Sequence, residues 1–103
     1  MINTYDMLVN ADQVMEFINA NQGKMVTVEF KSRFNFFMVS IDKLHTKKDT
    51  HKEVSLSDKK DNPKAVKVKF SFIDIKSIDQ NENELNIIYN DGSKILISLY
   101  SEK

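Results

Sequence analysis

Apolar residues recur along this chain with two different periods, and the change of period falls at Gly23. Before it, Val14, Phe17 and Ile18 stand at i, i+3 and i+4, with Ala11 and Met15 extending the stripe. That spacing predicts one amphipathic helix. Asn10 reads as its N-cap, with Gln13 three residues on as the capping-box partner. Asn21-Gln22-Gly23 reads as its close, with Gly23 taking the left-handed conformation. Upstream, Tyr5, Met7, Leu8 and Val9 fit either a helical turn or a short strand.

After Gly23 the period is two. Val26, Val28 and Phe30 alternate with Thr27, Glu29 and Lys31, which predicts a half-buried strand. Phe34 to Leu44 predicts a second strand, with Phe37, Val39 and Ile41 on one face and Phe36 and Met38 on the other. His45 to Pro63 is polar and punctuated by Asp61-Asn62-Pro63. Val54 and Leu56 alternate with serines inside it, so strands joined by turns are expected there rather than one long loop. Ala65 to Phe72 alternates most regularly, and Phe72 to Ile78 either continues it or bends at Asp74. Leu85, Ile87 and Tyr89 then pair with Ile95, Ile97 and Leu99 across Asp91-Gly92, a hairpin signal in which both central residues take positive φ.

These elements make one α+β domain over residues 1–103. A single N-terminal helix packs on a strongly curved antiparallel sheet, or a small partly open β-barrel, of about five or six strands. The predicted core is Val26, Val28, Phe30, Phe37, Val39, Ile41, Val66, Val68, Phe70, Phe72, Leu85, Ile87, Ile95, Ile97 and Leu99.

Composition narrows the function more than the fold. The chain has 103 residues, 41% of them hydrophobic and 29% charged, which suits a folded domain with one modest core. No apolar run approaches a membrane span, so no membrane association is expected. The first residues lack a basic region followed by an apolar stretch, so no export signal is expected and the cytoplasm is the expected compartment. There is no cysteine, which removes disulfides and thiolate chemistry. Lys, Asn and Ile are abundant and Arg33 is the only arginine. Their AT-rich codons suggest a low-GC bacterium or one of its phages.

Candidate chemistry is sparse. His45, Asp49 and His51 carry metal-ligating groups, but their spacing fits no standard motif and Lys47, Lys48 and Lys52 crowd them; no metal is expected. With two glycines in the chain and no nucleophile elbow, neither a phosphate-cradling loop nor serine chemistry is expected. The expectation is a protein that is not an enzyme and uses no cofactor.

Two surfaces remain. Arg33, Phe34, Phe36 and Met38 concentrate residue types enriched in protein interfaces, which points to a protein partner. Fifteen basic and fifteen acidic side chains balance, yet residues 43–69 hold nine lysines against four acids. Lys47, Lys48, Lys52, Lys59, Lys60 and Lys64 therefore form an alternative, nucleic-acid-binding footprint. The preferred expectation is a non-catalytic interaction protein that binds and blocks or tethers another macromolecule. An inhibitor of a host defence nuclease, of the anti-CRISPR kind, is one concrete version. Strand edges also offer a route to a homo-oligomer.

Two small β families resemble parts of the chain. Val66 to Leu99, with Ile75-Lys-Ser-Ile78 before an Asp-Gly hairpin, looks like the later strands of bacterial PH-like domains. The stretch from the helix to Ile78, with Phe72-Ile73-Asp74-Ile75, is similar to YolD-like and Sm-like small barrels. The resemblance implies an architecture of helix and bent strands, and no functional residue.

Overall fold

The computed structural model describes residues 4–60 and 64–100, with side chains from Met7 onward. It is an α+β fold of one helix, α1 (Thr4–Ala20), and eight strands. They are β1 (Val26–Lys31), β2 (Phe36–Ile41), β3 (Leu44–Asp49), β4 (Glu53–Asp58), β5 (Val68–Ser71), β6 (Ile75–Gln80), β7 (Glu84–Tyr89) and β8 (Lys94–Leu99). All pairings are antiparallel, in a five-stranded sheet of order β2-β1-β8-β7-β6 and a three-stranded sheet of order β3-β4-β5. The two sheets are not closed into a barrel. The Asp61-Asn62-Pro63 punctuation lies outside the described residues.

The helix forms where its stripe predicts: Ala11, Val14, Phe17 and Ile18 are buried and Met15 packs beside them. Its start differs. Asn10 lies inside α1 rather than capping it, because the helix runs back to Thr4 through the ambiguous segment. Its end is as read, with Gly23 at φ 82°. The freed Gly23 amide donates to the Leu44 carbonyl at 2.7 Å, and the Leu44 amide donates to Lys24 at 2.9 Å. Gln13 bonds Gln80 at the end of β6, and Gln22 bonds Thr46 on β3. The helix thus spans from one sheet to the other and covers one side of the core.

Eight strands arise from six sequence runs because two runs bend. Phe34 to Leu44 breaks at Asp42-Lys43, so β2 ends on the large sheet and β3 begins on the small one. Asp58, at the end of β4 and 2% exposed, fixes that corner. Its carboxylate accepts from the amides of Asp42 at 2.8 Å, Lys43 at 3.0 Å and Lys60 at 3.0 Å. Burial by itself would raise its pKa. The three amides and the positive charge of Lys67 outweigh burial and hold the carboxyl below its ordinary value.

The second bend is at Asp74, between β5 and β6. Asp74 has φ 66°, a left-handed conformation that aspartate tolerates better than most side chains. Its carbonyl accepts from Asn90 at 2.8 Å. Beside it, the Tyr89 hydroxyl on β7 donates to the Ser71 carbonyl on β5 at 2.5 Å, which ties the sheets together. At each corner where the chain changes sheets, a polar tie therefore replaces ladder bonds that the bend removes.

The β7–β8 turn differs from the expected form. Gly92 alone has positive φ, and its amide closes onto Tyr89 at 3.0 Å while the Tyr89 amide bonds Ser93. This is the longer hairpin loop in which glycine alone takes the left-handed position. Asp91 is freed to accept from the Ser93 hydroxyl and amide at 2.6 and 2.9 Å, and those bonds depress its pKa.

Most of the predicted core is buried, but Phe37 and Val66 are each 50% exposed, and Phe30, Val39 and Leu99 are only partly covered. Phe37 lies on an edge strand, and Val66 precedes β5, which begins at Val68, three residues after the Ala65 start that alternation suggests. Leu44, Val54, Leu56 and Tyr89 join the core.

Two outcomes follow for stability. Asp74→Gly is expected to hold or raise the melting temperature, and Asp74→Val to cost about 1–2 kcal/mol, the steric penalty of a left-handed side chain. For Tyr89, burial and then the nearby Asp91 charge raise the pKa, so the folded state favours the neutral phenol. Wild-type stability is therefore full below about pH 10 and falls as the pH climbs beyond it. Tyr89→Phe should lose about 1 kcal/mol at neutral pH and lack that alkaline component, as read by denaturant titration across pH.

Candidate interaction surface

The turn between β1 and β2 is built by Ser32 and Asn35. The Ser32 amide donates to the Asn35 carbonyl at 2.8 Å, and the Ser32 hydroxyl accepts from the Asn35 amide at 3.2 Å. Arg33 and Phe34 are left at the tip. The Arg33 guanidinium lies 5.3 Å from the centre of the Phe34 ring, within cation–π range. Phe34 is 85% exposed, the most exposed large apolar side chain among the described residues.

From this tip the chain enters β2, an edge of the five-stranded sheet. One side of β2 is paired with β1 along its whole length, and no strand pairs with the other side among the described residues. Phe36 and Met38 point to the outer face beside Lys31 and Glu29, and are 62% and 55% exposed. Phe37 points to the inner face and stacks on Phe30 with ring centres 5.2 Å apart. The four expected interface residues, Arg33, Phe34, Phe36 and Met38, thus occur together at one exposed rim, with Phe37 added to them. Sequence alternation placed Phe37 in the core because it shares a face with Val39 and Ile41. It could not show that β2 has no neighbour to cover it.

The six lysines of the alternative footprint are not brought together. Lys47, Lys48 and Lys52 sit at the β3–β4 hairpin, while Lys59 and Lys60 follow the opposite end of β4. The length of β4 separates the groups by roughly 17 Å. Lys60 is also engaged with Asp42 at 2.9 Å, and Lys64 lies in the link to β5. Among the described residues no three histidine, aspartate or glutamate groups converge as metal ligands. The acidic tract 79–84 spans the end of β6, a hairpin turn at 81–83 and the start of β7, and in that turn the Asn81 side chain accepts from the amides of Asn83 and Glu84.

A second feature has no counterpart in the sequence reading. Where β5 departs from the Tyr89–Ser71 tie, a cleft of about 900 Å³ opens between it and the large sheet. Val28, Phe30, Phe37, Tyr89 and Ile95 line one wall; Val68, Phe70 and Ile73 line the other; Lys69, Asp74, Asn90, Asp91 and Ser93 stand around it. No described helix residue lines it, so the cleft lies away from the side that α1 covers.

The chain matches no family model, and no curated protein or solved structure is significantly similar to it. No helix among the described residues is long and apolar enough to cross a membrane. Replacing Phe36 and Met38 together with Ser is expected to change stability by no more than about 0.5 kcal/mol, since both side chains are exposed and lie outside the core. Thermal denaturation checks this, and a large loss of stability would place them in the core.

Proposed function

We propose that this chain is a non-catalytic interaction protein that engages a protein partner through the open edge of β2 and the Arg33–Phe34 tip. The observation that carries the reading is an edge strand whose outer side is unpaired among the described residues and whose two faces both expose apolar side chains. Folded proteins normally blunt such an edge with lysine, proline or a bulge, because its free amides and carbonyls recruit another strand. Residues 36–41 contain none of these devices and no charge. A partner strand laid along β2 would complete the ladder, and its side chains would meet Phe36 and Met38 on one face and Phe37 on the other. Phe34 under Arg33 adds an aromatic anchor of the sort that dominates binding energy. A second copy of the chain is the simplest partner that such an edge accepts. Blocking or tethering a different macromolecule uses the same contacts.

The test compares wild type with Phe36→Glu/Met38→Glu in partner capture from nuclease-treated host lysate and in solution mass at micromolar concentration. The double variant is expected to keep its melting temperature and lose the retained partner or the self-association. Retention of both by the folded variant would overturn the assignment. Changing Lys47, Lys48 and Lys52 to Gln is expected to leave capture unchanged. Loss of capture there, or a signal that vanishes with nuclease, would instead favour a nucleic-acid partner.

A further inference from the structure

We propose that the cleft between β5 and the five-stranded sheet binds a small amphiphile with an elongated apolar body and a cationic end group. The site is independent of the partner surface in its chemistry, although Phe37 borders both.

Size and shape come first. At about 900 Å³ the cleft falls within the range of small-molecule sites, roughly 300–1,000 Å³. Its floor crosses the large sheet from Phe37 on β2, over β1 and β8, to Tyr89 on β7. Three strand spacings make this about 14 Å, a trough rather than a round pocket.

The floor favours a small ligand over a peptide. β1, β8 and β7 are each paired on both sides, so their backbones offer an occupant no ladder, and the edge strand opposite, β5, is only four residues long with its Ser71 carbonyl already taken by Tyr89. What the floor does offer is side-chain surface, chiefly the half-exposed Phe37 and the partly buried Phe30, with Val28 and Ile95 packed beneath them. The Tyr89 hydroxyl is already committed to Ser71. An occupant is therefore held by apolar contact along the trough and by charge at its end.

That charge is negative. Asp74 and Asp91 stand at the same end, joined by the Asn90 amide bonding to the Asp74 carbonyl. Both are exposed. Asp91 is kept ionised by its bonds from Ser93. The lysine lining the cleft, Lys69, has its ammonium 3.4 Å from the Glu53 carboxylate, which offsets its charge. A cationic head at this end meets two carboxylates, and an anionic head is repelled by both.

Calorimetric titration of the full chain with dodecyltrimethylammonium, below its micellar concentration, tests the assignment against dodecanoate as the anionic control. Saturable binding of one equivalent is expected for the cation, with dodecanoate weaker by about tenfold or more. Asp74→Asn/Asp91→Asn should lower the cation's affinity by a similar factor and narrow the gap between the two heads. Asparagine tolerates the left-handed conformation at 74 and keeps the side-chain turn at 91, so the fold is expected to survive. Ile73→Lys, at a half-buried cleft position, should weaken the cation and strengthen dodecanoate. Absence of saturable binding, equal affinity for both heads, or indifference of folded variants to these charge changes would overturn the proposal.

Discussion

The carboxylate of Asp58 is buried at the corner where the chain leaves one sheet for the other, and the surrounding architecture depends on what it accepts. Three amides from two separate segments converge on its two oxygens. Bending a strand at Asp42-Lys43 strips those residues of ladder partners, and a buried unpaired amide costs about 1–3 kcal/mol. Asp58 supplies the missing acceptors at the point where they are lost. Its charge, costly to bury alone, is stabilised by the donors that the bend releases. The bend and the buried carboxylate thus support each other.

The functional surfaces follow from that corner and its counterpart at Asp74. Once β2 is cut off from β3, its outer edge meets no strand among the described residues, and Phe36 and Phe37 stay exposed. Asp74 and the Tyr89–Ser71 tie hold β5 to the large sheet at one end only, and beyond them the inner apolar faces separate and leave a trough. The helix covers only the side between β6 and β3, to which Gln13 and Gln22 fasten it. A small core is left with an open edge and an open cleft, both apolar. Neither feature requires a catalytic group, and the titratable residues near the cleft are engaged in structural bonds or stand at its polar end.

Legibility in the sequence tracked how local each determinant is. The helical stripe and the Gly23 stop were readable because neighbouring residues set them, whereas the bend at Asp74 was one of two readings that alternation left open. The corner at Asp42-Lys43 was not, since Ile41 and Leu44 still look like one strand and the acceptor lies sixteen residues away at Asp58. Phe37 was assigned inward correctly as to face, but alternation carries no information on whether a strand has a neighbour. Residue type alone singled out Arg33, Phe34, Phe36 and Met38, but alternation left open whether the Phe36 and Met38 face is covered; their exposure comes from the structure. The cleft left no trace in the sequence: Val28, Phe70 and Ile95 read as ordinary core, and only the divergence of β5 makes them a wall.

The most direct measurement on this account is an acid titration of the backbone amides of Asp42, Lys43 and Lys60 by heteronuclear NMR, with stability followed in parallel. If Asp58 organises the corner, the three amide shifts move together with one midpoint below the ordinary aspartate value of about 3.9. Its pKa is depressed in the folded state, so the stability it contributes is present above that value and lost as pH falls through the folded midpoint. Asp58→Asn should lack the shared transition. Three amides that titrate independently, or a shared midpoint at or above the ordinary value, would contradict the account.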